Sequence, residues 1–333
     1  MPHVSLLVCF IIALALLFDF LNGMHDAANS IATLVSTRVM SPRKAVMWAA
    51  FFNFVAAFFF GVHVATTVGK GLVDPSIMDN TLLLSALVGA SLWNWFTITL
   101  GIPVSSSHSL IGGLVGAALA KAGVRSLLFK SLNTTIAFMF ISPPVGMAVA
   151  FALMVGVYLL FRRRSPGQVD HVFRGGQLLS SAALSVAHGS NDSQKTMGII
   201  AVLLYTNGYL GKEFHVPWLV ILACYATMGL GTMAGGWKVV HTMGNKVTKL
   251  KPNGGFCAEM ASAITIIGCS MVGIPVSTTH VVTGSVVGVG ATHRLSAVRW
   301  GLAGRIVWAW VLTIPCAGAT AALVYYGARL VIH

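Results

Sequence analysis

Long apolar runs, separated by short polar connections, recur from one end of this chain to the other. Val4 to Val39 is too long for one bilayer span and carries the polar interruption Asn22-Gly23-Met24-His25-Asp26. Ala45 to Val68 predicts a second helix. Thr81 to Leu100 and Ser109 to Ala120 flank Gly101-Ile102-Pro103 and predict a hairpin. Thr134 to Phe161 predicts a long helix bent at Pro143-Pro144. After the polar stretch 162–174 the order resumes. Gly176 to Tyr205 is interrupted at His188-Gly189-Ser190-Asn191-Asp192, and Pro217 to Gly235 follows. A second hairpin, Cys257 to Val289, and a last helix, Ile306 to Ile332, complete the series. A span needs ~20 mostly apolar residues, so the pattern predicts an all-α polytopic membrane protein. The first run lacks a basic leader and a small-residue cleavage site, and is read as a retained helix rather than a signal peptide.

The order of elements is a repeat. Gly23 to Ser30 aligns with Gly189 to Thr196, and Gly101-Ile102-Pro103-Val104-Ser105-Ser106-Ser107-His108 aligns with Gly273-Ile274-Pro275-Val276-Ser277-Thr278-Thr279-His280. The second alignment keeps six residues of eight and exchanges Ser for Thr at the other two. The expected organisation is an N-terminal repeat over 1–161 with a broken helix and a tip at 101–108, a cytoplasmic linker over 162–174, and a C-terminal repeat over 175–333 with a broken helix and a tip at 273–280. Each repeat holds about three spans plus a re-entrant hairpin. Three crossings are an odd number, so the second repeat enters the membrane inverted, an arrangement typical of secondary transporters.

Composition narrows the class further. Of 333 residues, 56% are hydrophobic and 9% charged, against ~25% charged in soluble domains. The net charge of +13 does not indicate nucleic acid, because the basic residues sit in short connections. With the N-terminus outside, Arg38, Arg43, Lys44, Arg162, Arg163, Arg164, Arg174, Lys238, Lys246, Lys249, Lys251, Arg294 and Arg299 fall inside, against six basic residues outside. This asymmetry predicts outside N- and C-termini in a cell membrane. The five cysteines form no metal-ligand spacing and no disulfide framework.

Charges within spans are costly and therefore suspect as functional groups. Asp26 and Asp192 occupy equivalent positions in the two repeats and are expected to line one central site; capping of a restarted helix is the competing reading. The Gly-Ile-Pro-Val-Ser tips place Ser105, Ser106, Ser107 and Ser277, Thr278, Thr279 at helix starts, where free amides and the helix dipole favour an anion. Lys195, one turn after Asp192, can pair with it or face an anionic substrate. His25 titrates near neutral pH when unperturbed and is the candidate proton carrier; a buried, hydrogen-bonded histidine is the alternative. His108 and His280 are expected to hydrogen-bond across the repeat interface, and Asn53 and Asn94 between helices. Asp19 lines the same pathway or pairs with a base, and Glu259 is a candidate entry-face residue. The chain has no Gly-x-Ser-x-Gly elbow and no His-Glu-x-x-His pair, so an enzyme is not expected.

Asn-Gly-x-His-Asp-x-Ala-Asn, Ala187-His188-Gly189-Ser190-Asn191-Asp192-Ser193-Gln194-Lys195 and the paired tips together resemble the PiT inorganic phosphate transporter family, over essentially the whole chain. The resemblance implies cation-coupled uptake of inorganic phosphate by a homodimer. It implies that Asp26, Asn29, Asn191 and Asp192 belong to the substrate and coupling-ion site, and that Ser105, Ser106, Ser277 and Thr278 bind phosphate. His25 and Lys195 stand where the animal branch has asparagine, which is similar to the bacterial low-affinity branch. That branch implies coupling to H+ rather than Na+, and a divalent metal carried as neutral metal–phosphate. A sodium-coupled carrier, or one for sulfate, is the alternative, and no resident cofactor is implied.

Overall fold

The computed structural model describes residues 5–242, 250–293, 296 and 298–332. Lys246, Lys249 and Arg294, counted above among the inner basic residues, lie outside them. Among the described residues the chain is helical, without a strand. The first half contains α1 (Leu6–Ser36), α2 (Pro42–Val55), α3 (His63–Lys70), α4 (Asn80–Leu100), α5 (Ser106–Ala122) and α6 (Phe129–Phe161). The second contains α7 (Pro166–Thr206), α8 (Trp218–Ala234), α9 (Trp237–His241), α10 (Pro252–Met271), α11 (Thr278–His293) and α12 (Trp300–Ile332). The two series correspond member by member. Helices α1, α4, α6, α10 and α12 are each long and apolar enough to cross a bilayer.

Packing is reciprocal between the halves. Helix α1 packs on α8 and α7 on α2; α12 packs on α5 and α6 on α11. Each half thus completes the other. The outermost helices expose apolar side chains such as Phe140 on α6 and Trp308 on α12, whereas α1 and α7 bury their middles. A lipid-facing flank needs no polar partner, so polar groups collect on the enclosed pair.

Three expectations are corrected here. Helices α1 and α7 run unbroken through His25-Asp26 and through His188 to Asp192. The glycines there serve packing: a Cβ on Gly23 would lie 2.3 Å from the Met228 carbonyl oxygen, and one on Gly189 2.6 Å from that of Asn53. Close helix approach needs small residues, and an unbroken ladder avoids unsatisfied backbone in the membrane. The break falls instead within the predicted span Ala45 to Val68, where α2 with its terminal turn meets α3 at 83°. Third, the polar stretch 162–174 is a linker only over 162–165. Pro166 opens α7, and Ser165 and Gln168 form a capping box, so local helix signals override the polar composition.

Both hairpins are present. Gly101 (φ 68°) and Gly273 (φ 72°) close α4 and α10 in the left-handed region. The Ile102 amide reaches the Thr97 carbonyl at 3.0 Å, and the Ile274 amide the Cys269 carbonyl at 2.9 Å. These matching Schellman closures release the chain into Pro103 and Pro275. The next helices begin at Ser106 and Thr278, so both tips present a fresh helix N-terminus.

Candidate functional site

The two N-termini meet between α1 and α7. Ser105 caps α5 by accepting from the His108 amide, and Ser277 accepts from the His280 amide, at 3.2 Å in both cases. These two hydroxyls therefore fix the tips, and the next two residues of each tip face the centre.

On one side of that centre stands Asp26. One carboxylate oxygen lies 2.8 Å from His25 Nδ1 and accepts from Thr279 Oγ1 at 3.2 Å; the other accepts from Ser106 Oγ at 3.4 Å. Asn29 donates to Thr279 Oγ1 at 3.0 Å and to Thr278 Oγ1 at 3.4 Å. On the other side, Asp192 accepts from Lys195 Nζ at 2.5 Å and from Thr278 Oγ1 at 3.0 Å. Lys195 also donates to Ser107 Oγ and, at 2.8 Å, to the Val276 carbonyl, while Ser107 donates to that same carbonyl at 3.2 Å. Lys195 thus bridges the two tips. Every one of these side chains is buried.

His25 and Asn191, equivalent in the repeat, do equivalent work. His25 Nε2 lies 3.2 Å from the Ile102 carbonyl, and Asn191 Nδ2 reaches the Ile274 carbonyl at 3.5 Å. Asn191 also takes the Val276 amide at 3.3 Å and donates to Ser270 at 2.8 Å. Each residue latches one tip to the helix that carries the aspartate.

Residues 22–321 match the model of the phosphate transporter family. The chain belongs to that family. It is 56% identical over 321 residues, covering 96% of both chains, to a "Probable low-affinity inorganic phosphate transporter" of Rhizobium meliloti (strain 1021). It is 42% identical over 328 residues, covering 98% of both chains, to a protein of the same description from Bacillus subtilis (strain 168). A solved structure titled "The sodium-dependent phosphate transporter" superposes with a TM-score of 0.91 at 28% identity, over 98% of this chain and 100% of that one. The family is one of transporters and not of enzymes, as the missing catalytic motifs led us to expect.

One member of the cluster was quoted within a motif but not named among the candidate site residues: His188. Its Nε2 lies 3.3 Å from Asp192, its Nδ1 lies 3.2 Å from Asn53 Oδ1, and Asn53 donates to Thr232 at 3.0 Å. Ligand atoms of Asp26, His188 and Asp192 all lie within 4.8 Å of one another, a spacing at which one cation, or a shared proton, can serve the group. The available signal was the helical register, since His188 stands one turn before Asp192.

Other polar expectations fare differently. Asn53 bonds between helices as expected, whereas the Asn94 amide has no partner among the described residues. His108 and His280 meet edge-on, ring centroids 4.3 Å apart, and His280 stacks on Trp310 at 3.6 Å. Apolar walls of α6 and α12 surround them, so they join the repeats by ring packing rather than by a mutual hydrogen bond. Glu259 is buried rather than set at an entry face. It accepts from Thr33 at 2.5 Å, from Gln177 at 2.9 Å and from Ser180. Asp19 is buried too, accepts from Thr196 at 2.9 Å, and pairs with no lysine or arginine among the described residues.

Proposed function

We propose that this transporter is a symporter that carries inorganic phosphate inward across the cytoplasmic membrane, driven by protons. The phosphate seat lies between the tips, with Ser106, Ser107, Thr278, Thr279, Asn29 and Lys195 as donors and the α5 and α11 amides behind them. The observation that carries this reading is Lys195 joining Asp192 to both tips. It sets a fixed positive charge among hydroxyl donors at two helix N-termini, a combination suited to a small tetrahedral oxyanion.

Charge then demands a cation. The two aspartates and Lys195 leave one net negative charge, and a phosphate monoanion makes it two. Like charges so close cannot all stay ionised in a buried site. Phosphate therefore enters only with positive charge, delivered to Asp26, Asp192, His25 or His188. Protons satisfy this through groups already hydrogen-bonded to the seat. Sodium is the second reading, favoured by the name of the structurally similar transporter and by the three converging ligand atoms. Phosphate carried as a neutral complex with a divalent metal would lower the charge demand in the same way.

The corresponding helix series and reciprocal packing support two inverted repeats with re-entrant hairpins arriving from opposite faces, and the asymmetry of basic residues between the connections supports both termini outside. We extend this to a homodimer, on the family resemblance alone.

Radiolabelled phosphate uptake into proteoliposomes tests the reading, with proton and sodium gradients imposed separately. Uptake driven by the proton gradient alone is expected. Uptake that ignores it and follows sodium assigns the aspartates to sodium. Uptake under neither gradient, or full competition by sulfate, overturns the phosphate assignment.

A further inference from the structure

Two buried carboxylates outside the central site stand without a lysine or arginine partner among the described residues, and their surroundings differ. Glu259 receives three donors, shared over both its oxygens, so its anion is solvated by fixed dipoles. Asp19 is fully buried, and its Oδ1 accepts from Thr196 Oγ1 at 2.9 Å. Its Oδ2 has no partner. A carboxylate anion with one bare oxygen in a membrane interior carries an uncompensated desolvation cost, whereas a carboxylic acid there lacks only an acceptor for its proton. Asn22, beside Asp19 and one turn along α1, is buried with its Oδ1 unpartnered; its amide can turn a donor to the carboxylate or an acceptor to the carboxylic acid.

Asp19, Asn22 and Asp26 follow an i, i+3, i+7 spacing on an unbroken helix and share one face of it. Asp26 lies about 10.5 Å farther along the axis, at 1.5 Å per residue. The titratable groups facing Asp19 from neighbouring helices are Asp192 and Lys195 on α7 and Cys224 and Tyr225 on α8. Lys195 is already held by Asp192, Ser107 and Val276, and α4, which also packs on α1, carries no titratable side chain.

We propose that Asp19 is the proton-loading carboxyl of the coupling path, holding a proton and passing it along this face to Asp26. An O–H bond breaks at Asp19 and one forms at the Asp26 carboxylate, relayed by water that the Asn22 amide orders. No other bond changes and no redox partner is needed. This inference rests on proton coupling, the reading given above.

The test separates coupling from substrate binding. Asp19→Asn keeps the neutral, hydrogen-bonding shape of the acid but cannot give up a proton. In proteoliposomes it is expected to lose at least tenfold of proton-driven phosphate accumulation. Phosphate counterflow, in which the loaded carrier need not release its proton, should stay within twofold of the parent, and Asp19→Glu should recover accumulation in part. Infrared difference spectra of the parent protein in H2O and D2O should show a protonated-carboxyl band that Asp19→Asn lacks. Parental accumulation in Asp19→Asn, or a carboxyl band that survives it, overturns the proposal. Loss of counterflow together with accumulation also overturns it, by placing Asp19 in the substrate seat or the scaffold. A parent protein that follows sodium and ignores protons refutes the coupling reading itself, and that outcome is read on the parent before any variant is made.

Discussion

Lys195→Ala has the most determinate consequences, because Nζ touches three groups at once. Two separate effects are expected. The first is structural: the substitution strands the Asp192 carboxylate, buried and without its cation. Breaking one partner from a buried pair costs about 3–5 kcal/mol, and the loss should appear as a lower unfolding temperature in detergent. The second is functional: phosphate loses one charge-assisted hydrogen bond, worth about 1.5–3 kcal/mol. At 1.4 kcal/mol per factor of ten, that raises the half-saturating phosphate concentration roughly 10- to 150-fold. Adding Asp192→Asn to Lys195→Ala separates them. The stranded charge disappears and stability should recover in part, yet phosphate affinity should not. The assays are thermal unfolding and phosphate binding by scintillation proximity on purified protein. A Lys195→Ala protein that binds phosphate as tightly as the parent would refute the reasoning, leaving Lys195 only a counter-ion for Asp192.

Other outcomes follow from the same geometry. Asp26→Asn and Asp192→Asn should each reduce uptake to background while the protein remains in the membrane, checked by uptake against immunoblotted membrane content; transport at the parental rate in either would remove that aspartate from the site. Gly23→Ala and Gly189→Ala each drive a Cβ into a carbonyl of the neighbouring helix, a strain of about 1–3 kcal/mol, and should lower the unfolding temperature. Gly156→Ala, which meets nothing within 4 Å, should not. Lys195→Asn makes the position match Asn29 and removes the fixed charge, so the initial uptake rate should depend more steeply on proton concentration than in the parent. An unchanged slope would show that Lys195 does not enter the charge balance of loading.

Much of this was legible in the sequence because duplication supplies an internal control. Six shared residues of eight at the tips identified both N-termini, and the same comparison singled out Asp26 and Asp192. Glycine misled the reading of the longest helices. Next to polar residues it looks like a break, but Gly23 and Gly189 sit in helices and admit a neighbouring backbone; only the partner helix tells these uses apart, and it is remote in sequence. The hinge between α2 and α3 was missed for the converse reason, since Phe58 to Val62 is apolar enough to continue a span. Local spacing also could not assign Ser105 and Ser277 to capping while their neighbours face the centre, because that depends on where each helix starts to within one residue. Glu259 was invisible as a partner of Thr33, Gln177 and Ser180, which come from two other helices.

The two halves share the order of their α-helices and differ in the side chains that meet at the centre. Asn22 answers to His188, His25 to Asn191, Asn29 to Lys195 and Ser106 to Thr278. Reciprocal packing of the two halves is what the proposed inverted repeats would need to exchange roles about a pseudo-twofold axis with little change in contact. Agreement in side chains would change the charge that the site holds, however. Two lysines against two aspartates would close as two independent ion pairs and leave no charge for a proton to adjust. Two asparagines would leave both aspartates dependent on incoming cations. Lys195 stands against one aspartate, which His188 also approaches at 3.3 Å, and His25 stands against the other, so the two half-sites differ in the partners that their carboxylates meet.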